Sequence, residues 1–327
     1  MKAKHQLLRD APVIVRMRVG VVGCGRWGSK HLEALQKIAG DAQIDTIVAC
    51  DVNAIALERA RSMGFEIHDN PETLVDLFQL NAVIIATPND SHFELGKEFL
   101  LKGVNVFLEK PLATTFDNAS SLVSIAIQEG KALKSGFLLR FHPCVIDAKR
   151  QIRMGRIGAI QAIHYRKKSI RPWDGFSYAL DSLAIHGVDL AEFLLDGQAP
   201  LRISEVVGFH NCTRLTLEYP NQVETHLDVG WDSDEDVAEL EVVGANGRIL
   251  VALQNHCEYK TNFENPETVF VECVHPPLEG VLLDFLCGKS LSIASSTGSI
   301  LRTIKCIEQA RSQLIASGCL NIRELKG

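Results

Sequence analysis

The amino-acid sequence predicts an α/β protein in two parts: an N-terminal doubly wound parallel sheet, then an α+β domain built on a large, mostly antiparallel open sheet. Three observations carry this. From Arg18 onward, short β-rich apolar runs alternate with helix-length segments, the pattern of parallel strands joined by helical crossovers. Ala82–Ala86 is nearly continuously apolar, as a strand buried on both faces must be. Beyond about residue 140, strands succeed one another through short turns, which makes antiparallel pairs.

In the first part the expected strands are Arg18–Val22, Ile44–Cys50, Ala82–Ala86, Asn105–Leu108 and Ala132–Gly136. The expected helices between them are Gly28–Ile38, Ala54–Ser62, Phe93–Lys102 and Phe116–Glu129. A helix over Pro143–Met154 opens the second part. Strands follow at Ala159–Arg166, Ile203–Gly208, Thr213–Tyr219, Val223–Gly230, Val237–Val243, Arg248–Ala252 and Val269–Cys273. Turns at Tyr219-Pro220-Asn221 and Ala245-Asn246-Gly247 join some of these as hairpins. One helix, Leu183–Leu195, interrupts the run, and Leu278–Cys287 and Ser299–Ser317 close the chain.

Composition narrows the function. At 327 residues, 46% hydrophobic and 23% charged, the chain suits two soluble globular domains. A net charge of −6 argues against a nucleic-acid partner, which usually meets a basic surplus. No apolar run is long enough to span a bilayer, so no membrane partner is expected. Lys2, Lys4 and Arg9 are followed by no apolar core of signal-peptide length. The nine cysteines form no CxxC pair and no zinc-ligand spacing, so reduced thiols, no metal and a cytoplasmic location are expected.

The first strand runs into Gly23-Cys24-Gly25-Arg26-Trp27-Gly28, a GxGxxG between a strand and an amphipathic helix. Such glycines permit a tight turn and close approach of backbone to a pyrophosphate, which the helix N-terminus then binds. Asp51 ends the second strand near the spacing at which a carboxylate accepts from an adenosine ribose. A carboxylate there repels a 2′-phosphate, and Val52-Asn53 offer no arginine to receive one, so NAD is expected in preference to NADP. An aspartate capping the next helix is the other reading of Asp51. The chain divides into an N-terminal extension at 1–16, a dinucleotide-binding Rossmann domain at 17–140 and an α+β domain at 141–327, which is expected to bind substrate and to self-associate.

Two further segments follow buried strands, at the sheet edge where ligands sit in open α/β folds. In Ala86-Thr87-Pro88-Asn89-Asp90-Ser91-His92, Pro88 and Asn89 make a turn and Ser91 is placed to cap the next helix. His92 reads as a solvent-facing residue of that helix's first turn. Glu109-Lys110-Pro111 terminates the next strand, with a cis peptide admissible at Pro111. Lys110 is positioned to exchange a proton with a substrate oxygen. A lysine after a strand is as often a solvated charge, and position alone leaves both readings open.

Taken together, these residues resemble the glucose-fructose oxidoreductase/inositol dehydrogenase (Gfo/Idh/MocA) family. The likeness runs from the GxGxxG through Asp51, Ala-Thr-Pro-Asn-x-x-His and Glu-Lys-Pro-Leu to Gly136-Phe137-x-x-Arg140-Phe141-x-Pro143. Trp231 and Gly244-x-x-Gly247 continue it, so that it spans roughly residues 17 to 317. It implies an NAD-dependent dehydrogenase or reductase of a sugar, cyclitol or nucleotide-sugar. Gly23, Gly25, Arg26, Trp27, Gly28, Asp51, Thr87, Pro88, Asn89, His92, Glu109 and Lys110 would then hold the cofactor. Lys110 would meet the reacting hydroxyl, joined by a histidine that members commonly carry as Asp-x-x-x-His.

The matching segment here is Leu180-Asp181-Ser182-Leu183-Ala184-Ile185-His186. His186 fits, but the residue four before it is Ser182, and Asp181 is displaced by one. Residues four apart share a helix face and residues five apart do not, so Asp181 reaches the site only if the helix begins irregularly. Ser182 is the alternative hydrogen-bonding group, and a core histidine bonded to a carbonyl is the other reading of His186. The resemblance adds Arg140 to the substrate-binding set, and its substrate loop includes Arg166, Arg171 and Trp173, suited to a carboxylate or diphosphate by forked hydrogen bonds and stacking. Lys167 and Lys168 read as solvated loop charges. The open sheet is expected to pair copies as a homodimer or homotetramer. Two rivals remain: a glycosidase of the same fold using tightly held NAD, and a catalytically silent NAD-binding regulator.

Overall fold

The computed structural model describes residues 16–175, 178–263, 265–288 and 296–320. Nearly all of the proposed extension, residues 1–15, lies outside them. In the first part six strands, β1 (Met17–Val22), β2 (Ile44–Cys50), β3 (Glu66–His68), β4 (Ala82–Ile85), β5 (Asn105–Leu108) and β6 (Leu133–Ser135), alternate with five helices. These are α1 (Arg26–Lys37), α2 (Ala54–Ser62), α3 (Pro71–Phe78), α4 (His92–Leu101) and α5 (Phe116–Gln128). All strands pair in parallel in the order β3-β2-β1-β4-β5-β6. The direction of winding reverses between β1 and β4, so the loops after them flank the crevice where such sheets bind ligands. All four residues of β4 are buried, as the unbroken apolar run demands.

The second part opens with α6 (Pro143–Arg153) and β7 (Ile160–Lys168). After α7 (Ile185–Leu194) come β8 (Arg202–Gly208), β9 (Cys212–Glu218), β10 (Glu224–Gly230), β11 (Val237–Gly244), β12 (Gly247–Ala252), β13 (Glu258–Asn262) and β14 (Pro266–Phe270). They form an eight-stranded sheet in the order β14-β13-β12-β11-β7-β10-β9-β8, antiparallel except for β7 with β10. Ile163, Tyr165, Leu215, Leu217, Leu227, Leu240, Val242 and Val251 bury the inner face. Against it lies α7, at a distance that leaves no side chain at one point: a Cβ on Gly187 would fall 2.5 Å from Leu227 and 2.6 Å from Tyr165. Two last helices, α8 (Pro277–Cys287) and α9 (Thr297–Ala316), complete the described chain. Val281, Leu282 and Phe285 of α8 return to the first sheet and share its apolar cluster with Leu32 and Phe107.

Four elements depart from expectation. Neither β3 nor α3 is legible from periodicity. The strand is three residues long, and the helix is an eight-residue turn started by Pro71 and capped by the Asn70 side chain on Glu72 N (2.9 Å). At the sheet edge, β14 lies at Pro266–Phe270 rather than Val269–Cys273, because it pairs with the unanticipated β13, Glu258 opposite Phe270 and Asn262 opposite Pro266. An edge strand tolerates the proline's missing donor.

Candidate active site

The glycine loop joins β1 to α1 with the shape a dinucleotide requires. Gly23 adopts a φ of +88°, and a Cβ on Gly28 would meet the Gly23 carbonyl oxygen at 1.7 Å, so both positions exclude larger residues. By contrast nothing lies within 4 Å of a Cβ built on Gly25: the loop is open on that side. Gly25 caps α1 and no side chain satisfies that helix terminus, which leaves its amides to an anion. Asp51 accepts from Cys24 N (2.6 Å) through one oxygen and from Asn53 N (2.8 Å) through the other. The capping role of the next helix belongs to Asn53, which accepts from Ile55 N and Ala56 N. Asp51 is thus fixed against the loop, with carboxylate lone pairs left for a ribose diol. The Cys24 thiol, inside the motif, is pushed up to about 12 by burial and stays protonated.

The loops after β4 and β5 are locked together beside it. His92 is fully buried, its Nδ1 2.8 Å from Pro111 O and its Nε2 3.0 Å from Thr87 O, so it ties the two loops rather than facing solvent or the cleft. Ser91 does not cap α4; its hydroxyl turns back to Thr87 Oγ1 and Pro88 O, each at 2.7 Å. The Lys110–Pro111 peptide is cis. Glu109 is buried against His31 Nε2 (2.7 Å). Burial raises its pKa, but the His31 hydrogen bond and the charges of His31 and Lys110 outweigh this and hold the carboxyl below its ordinary range. Sequence reasoning missed His31. Its signal was a titratable side chain on the apolar face of α1, between Gly28 and Leu35.

Across the cleft, Leu180–Ala184 is a π-helical turn that leads directly into α7, with the Ile185 N–H reaching back five residues to Leu180 O. A π turn brings residues five apart into line, and such turns recur at functional sites. It absorbs the one-residue displacement of Asp181: Asp181, Ser182 and His186 all line one cavity with Lys110. Asp181 is paired with Arg311 of α9. Ser182 does not replace it through its hydroxyl, which donates to Tyr178 O (2.6 Å); instead its carbonyl accepts from Lys110 Nζ (3.0 Å). Burial lowers the Lys110 pKa, opposed by the carboxylates of Glu109 and Asp181. His186 lies well below the ordinary imidazole range because it is buried and faces the Lys110 charge. Its Nδ1 is shielded from solvent and has no hydrogen-bond partner among the described residues, so it is not a histidine satisfied there.

The cavity measures about 660 Å³ and is lined by Arg26 and Trp27 of the glycine loop, Thr87 and Asn89 after β4, and Arg171 and Trp231 of the second part. Three sequence expectations fail here. Arg140 is 5% exposed and binds Asp189 through Nε (2.9 Å) and Nη2 (2.8 Å), with Nη2 also on Ser299 Oγ (2.5 Å); it is a core ion pair, not a substrate ligand. Arg166 points to the outer sheet face, on Glu235 (2.7 Å) and Glu239 (3.4 Å). Trp173 stacks on His210 at 5.5 Å, and Trp231 takes its place in the cleft. Lys167 is the converse case: β7 continues to Lys168, and strand alternation turns Lys167 inward to the cavity and Lys168 outward to Asp228 (2.5 Å).

Residues 17–137 match the oxidoreductase family with an NAD-binding Rossmann fold. Inositol 2-dehydrogenase 2 of Saccharopolyspora erythraea is 30% identical over 71% of this chain and 72% of its own length. The scyllo-inositol 2-dehydrogenase (NAD(+)) of Bacillus subtilis is 28% identical over 74% and 75%. Among solved structures, UDP-N-acetylglucosamine 3-dehydrogenase from Acidithiobacillus ferrooxidans shares the fold at a TM-score of 0.77 and 22% identity, over 91% of this chain and 98% of that one. The chain belongs to the Gfo/Idh/MocA oxidoreductase family. It is an NAD-dependent dehydrogenase or reductase of CH–OH groups. No helix among the described residues is long and apolar enough to cross a membrane.

Proposed function

We propose that the chain oxidises a secondary alcohol of a sugar, cyclitol or nucleotide-sugar, or reduces the corresponding ketone, with Lys110 and His186 handling the proton. The observation that carries this reading is the half-buried Lys110 and His186, which line one cavity with the cofactor loops and whose charges interact. Bound NAD supplies the hydride acceptor. The neutral His186 imidazole takes the hydroxyl proton, and the Lys110 ammonium donates to the same oxygen as negative charge develops there. Ser182 O and the Asp181 carboxylate hold that ammonium in place. The inositol dehydrogenases among the relatives support a polyol substrate. The test is NADH release from a panel of cyclitols, free sugars and nucleotide-sugars. Stoichiometric release excludes a glycosidase that retains its NAD, and any turnover excludes a silent regulator.

In this reading residues 17–140 bind cofactor and 141–327 bind substrate and self-associate, and the enzyme works in the cytoplasm. Asp51 sets the cofactor choice. Fluorescence titration is expected to give tighter binding of NADH than NADPH, and Asp51→Ala to weaken NADH about 10–100-fold, the worth of hydrogen bonds to a charged acceptor. Equal affinities for the two would remove Asp51 from the ribose.

The outer face of the large sheet supports self-association. Glu239, Arg166, Asp228 and Arg214 lie opposite one another on neighbouring strands, as do Glu241, His164, His226 and Thr216. The first row alternates in charge and the second is polar, so together they offer a polar surface to a second copy. A dimer or tetramer by light scattering at micromolar concentration is expected; a monomer would mean that this face is simply solvated.

A further inference from the structure

The carboxylates that border the cleft are all engaged. Glu109 is held by His31 and Asp181 by Arg311, and Asp174 has a partner of its own. On the wall contributed by β7 and the residues that follow it, two cations line the same cavity with less compensation. Arg171 meets no carboxylate among the described residues: its Nε donates to Ser169 Oγ (3.3 Å), and its guanidinium lies 5.5 Å over the Trp231 ring. Lys167, on the inner face of β7, pairs with Asp236 at 3.7 Å. Arg171 is near enough to push the Lys167 pKa down, adding to burial and opposing Asp236. Two like charges that share a single carboxylate, Asp236, repel each other, and an anionic ligand would offset that repulsion.

The backbone that presents Arg171 is built rather than loose. Ser169 N donates to Gly230 O (2.9 Å), Asp232 N to Arg171 O (3.0 Å), Ser233 N to Ser169 O (3.0 Å) and Trp173 N to Asp232 Oδ2 (3.2 Å). These bonds pin residues 169–173 to the exit of β10, so the guanidinium is carried on a fixed stretch above Trp231. The Trp231 Nε1–H, shielded from water, has no acceptor among the described residues. A planar, forked cation stacked on an aromatic ring is suited to a carboxylate or phosphate.

We infer that this wall of the cleft carries an anion subsite, in which Arg171 with Lys167 recognises a carboxylate or diphosphate group carried by the substrate. The inference rests on the sugar-alcohol reading above and narrows it away from neutral cyclitols. The test compares D-glucuronate and UDP-glucose with D-glucose and myo-inositol, in wild type, Arg171→Gln and Lys167→Met. At least one charged probe is expected to exceed both neutral ones in kcat/KM by tenfold or more. Arg171→Gln should depress the charged probe about 10–100-fold further than the neutral ones. Preference for glucuronate identifies a carboxylate, preference for UDP-glucose a diphosphate. Calorimetry of UDP and of D-glucuronate on the NADH-bound protein gives a second readout. Binding weakened by Arg171→Gln supports the subsite even if no probe is oxidised, in which case only the substrate reading falls. Preferred turnover of a neutral probe, equal losses on charged and neutral probes, or no binding of either anion overturns the subsite and leaves the oxidoreductase standing.

Discussion

Lys110→Ala is expected to lower kcat by about 10²–10⁴-fold, the usual worth of a positioned proton-transfer group, while NADH affinity changes little. Lys110 Nζ is directed at Ser182 O across the cleft, not at the glycine loop or Asp51, so its loss removes charge from the reacting end and spares the dinucleotide end. A near-normal kcat would return Lys110 to the status of a structural lysine. The pH profile supplies an independent check. In the oxidation direction kcat/KM should rise as His186 loses its proton, with a midpoint below 6.5, and fall as Lys110 loses its own, with a midpoint below 10.5. Removing the ammonium should abolish the alkaline limb. It should also move the acid limb upward, because the Lys110 charge, after burial, is what depresses His186.

How far the sequence reveals this site depends on the signal each part leaves. Helices with a strong apolar stripe or a side-chain cap, and strands with an unbroken apolar run, are placed within a residue or two; β2, β5 and α2 fall at their expected bounds. Their order alone builds the crevice in which the glycine loop, Thr87 and Lys110 meet. The π turn is illegible because α and π geometry differ by one residue over a single turn, too little for hydrophobic periodicity to register. What betrays it is the displaced aspartate, a departure that makes sense only if the backbone compensates. Arg166 and Lys167 fail for another reason. Treating them as loop charges discards the period-two alternation that continues from Ile163 through Tyr165 and sends Lys167 inward and Arg166 out. His31 and Asp189 are polar residues on otherwise apolar helix faces, and their partners, Glu109 and Arg140, lie far off in sequence.

The assignment of Arg140 to the core leads to the second large effect, on stability rather than on chemistry. Arg140 follows the last strand of the first sheet, whereas Asp189 and Glu192 sit on α7 and Ser299 on α9, so a single guanidinium joins three parts of the chain. Arg140 is 5% exposed and Asp189 1%, which leaves neither charge with water as an alternative partner. Arg140→Leu would take the guanidinium from the buried Asp189 carboxylate, and breaking a buried pair from one side typically costs about 3–5 kcal/mol. In a chain of this size that corresponds to a fall in Tm of roughly 4–7 °C. Replacing both partners, Arg140→Leu with Asp189→Leu, removes the buried carboxylate as well and should restore a substantial part of the loss, since buried pairs often exchange for apolar residues at little net cost. The substrate-binding role would behave in the opposite way: Tm would hold, KM would rise, and the second substitution would recover nothing. Thermal unfolding of the two variants beside wild type, with KM measured on each, decides between them. A single variant that keeps its Tm and loses substrate affinity would return Arg140 to the cleft.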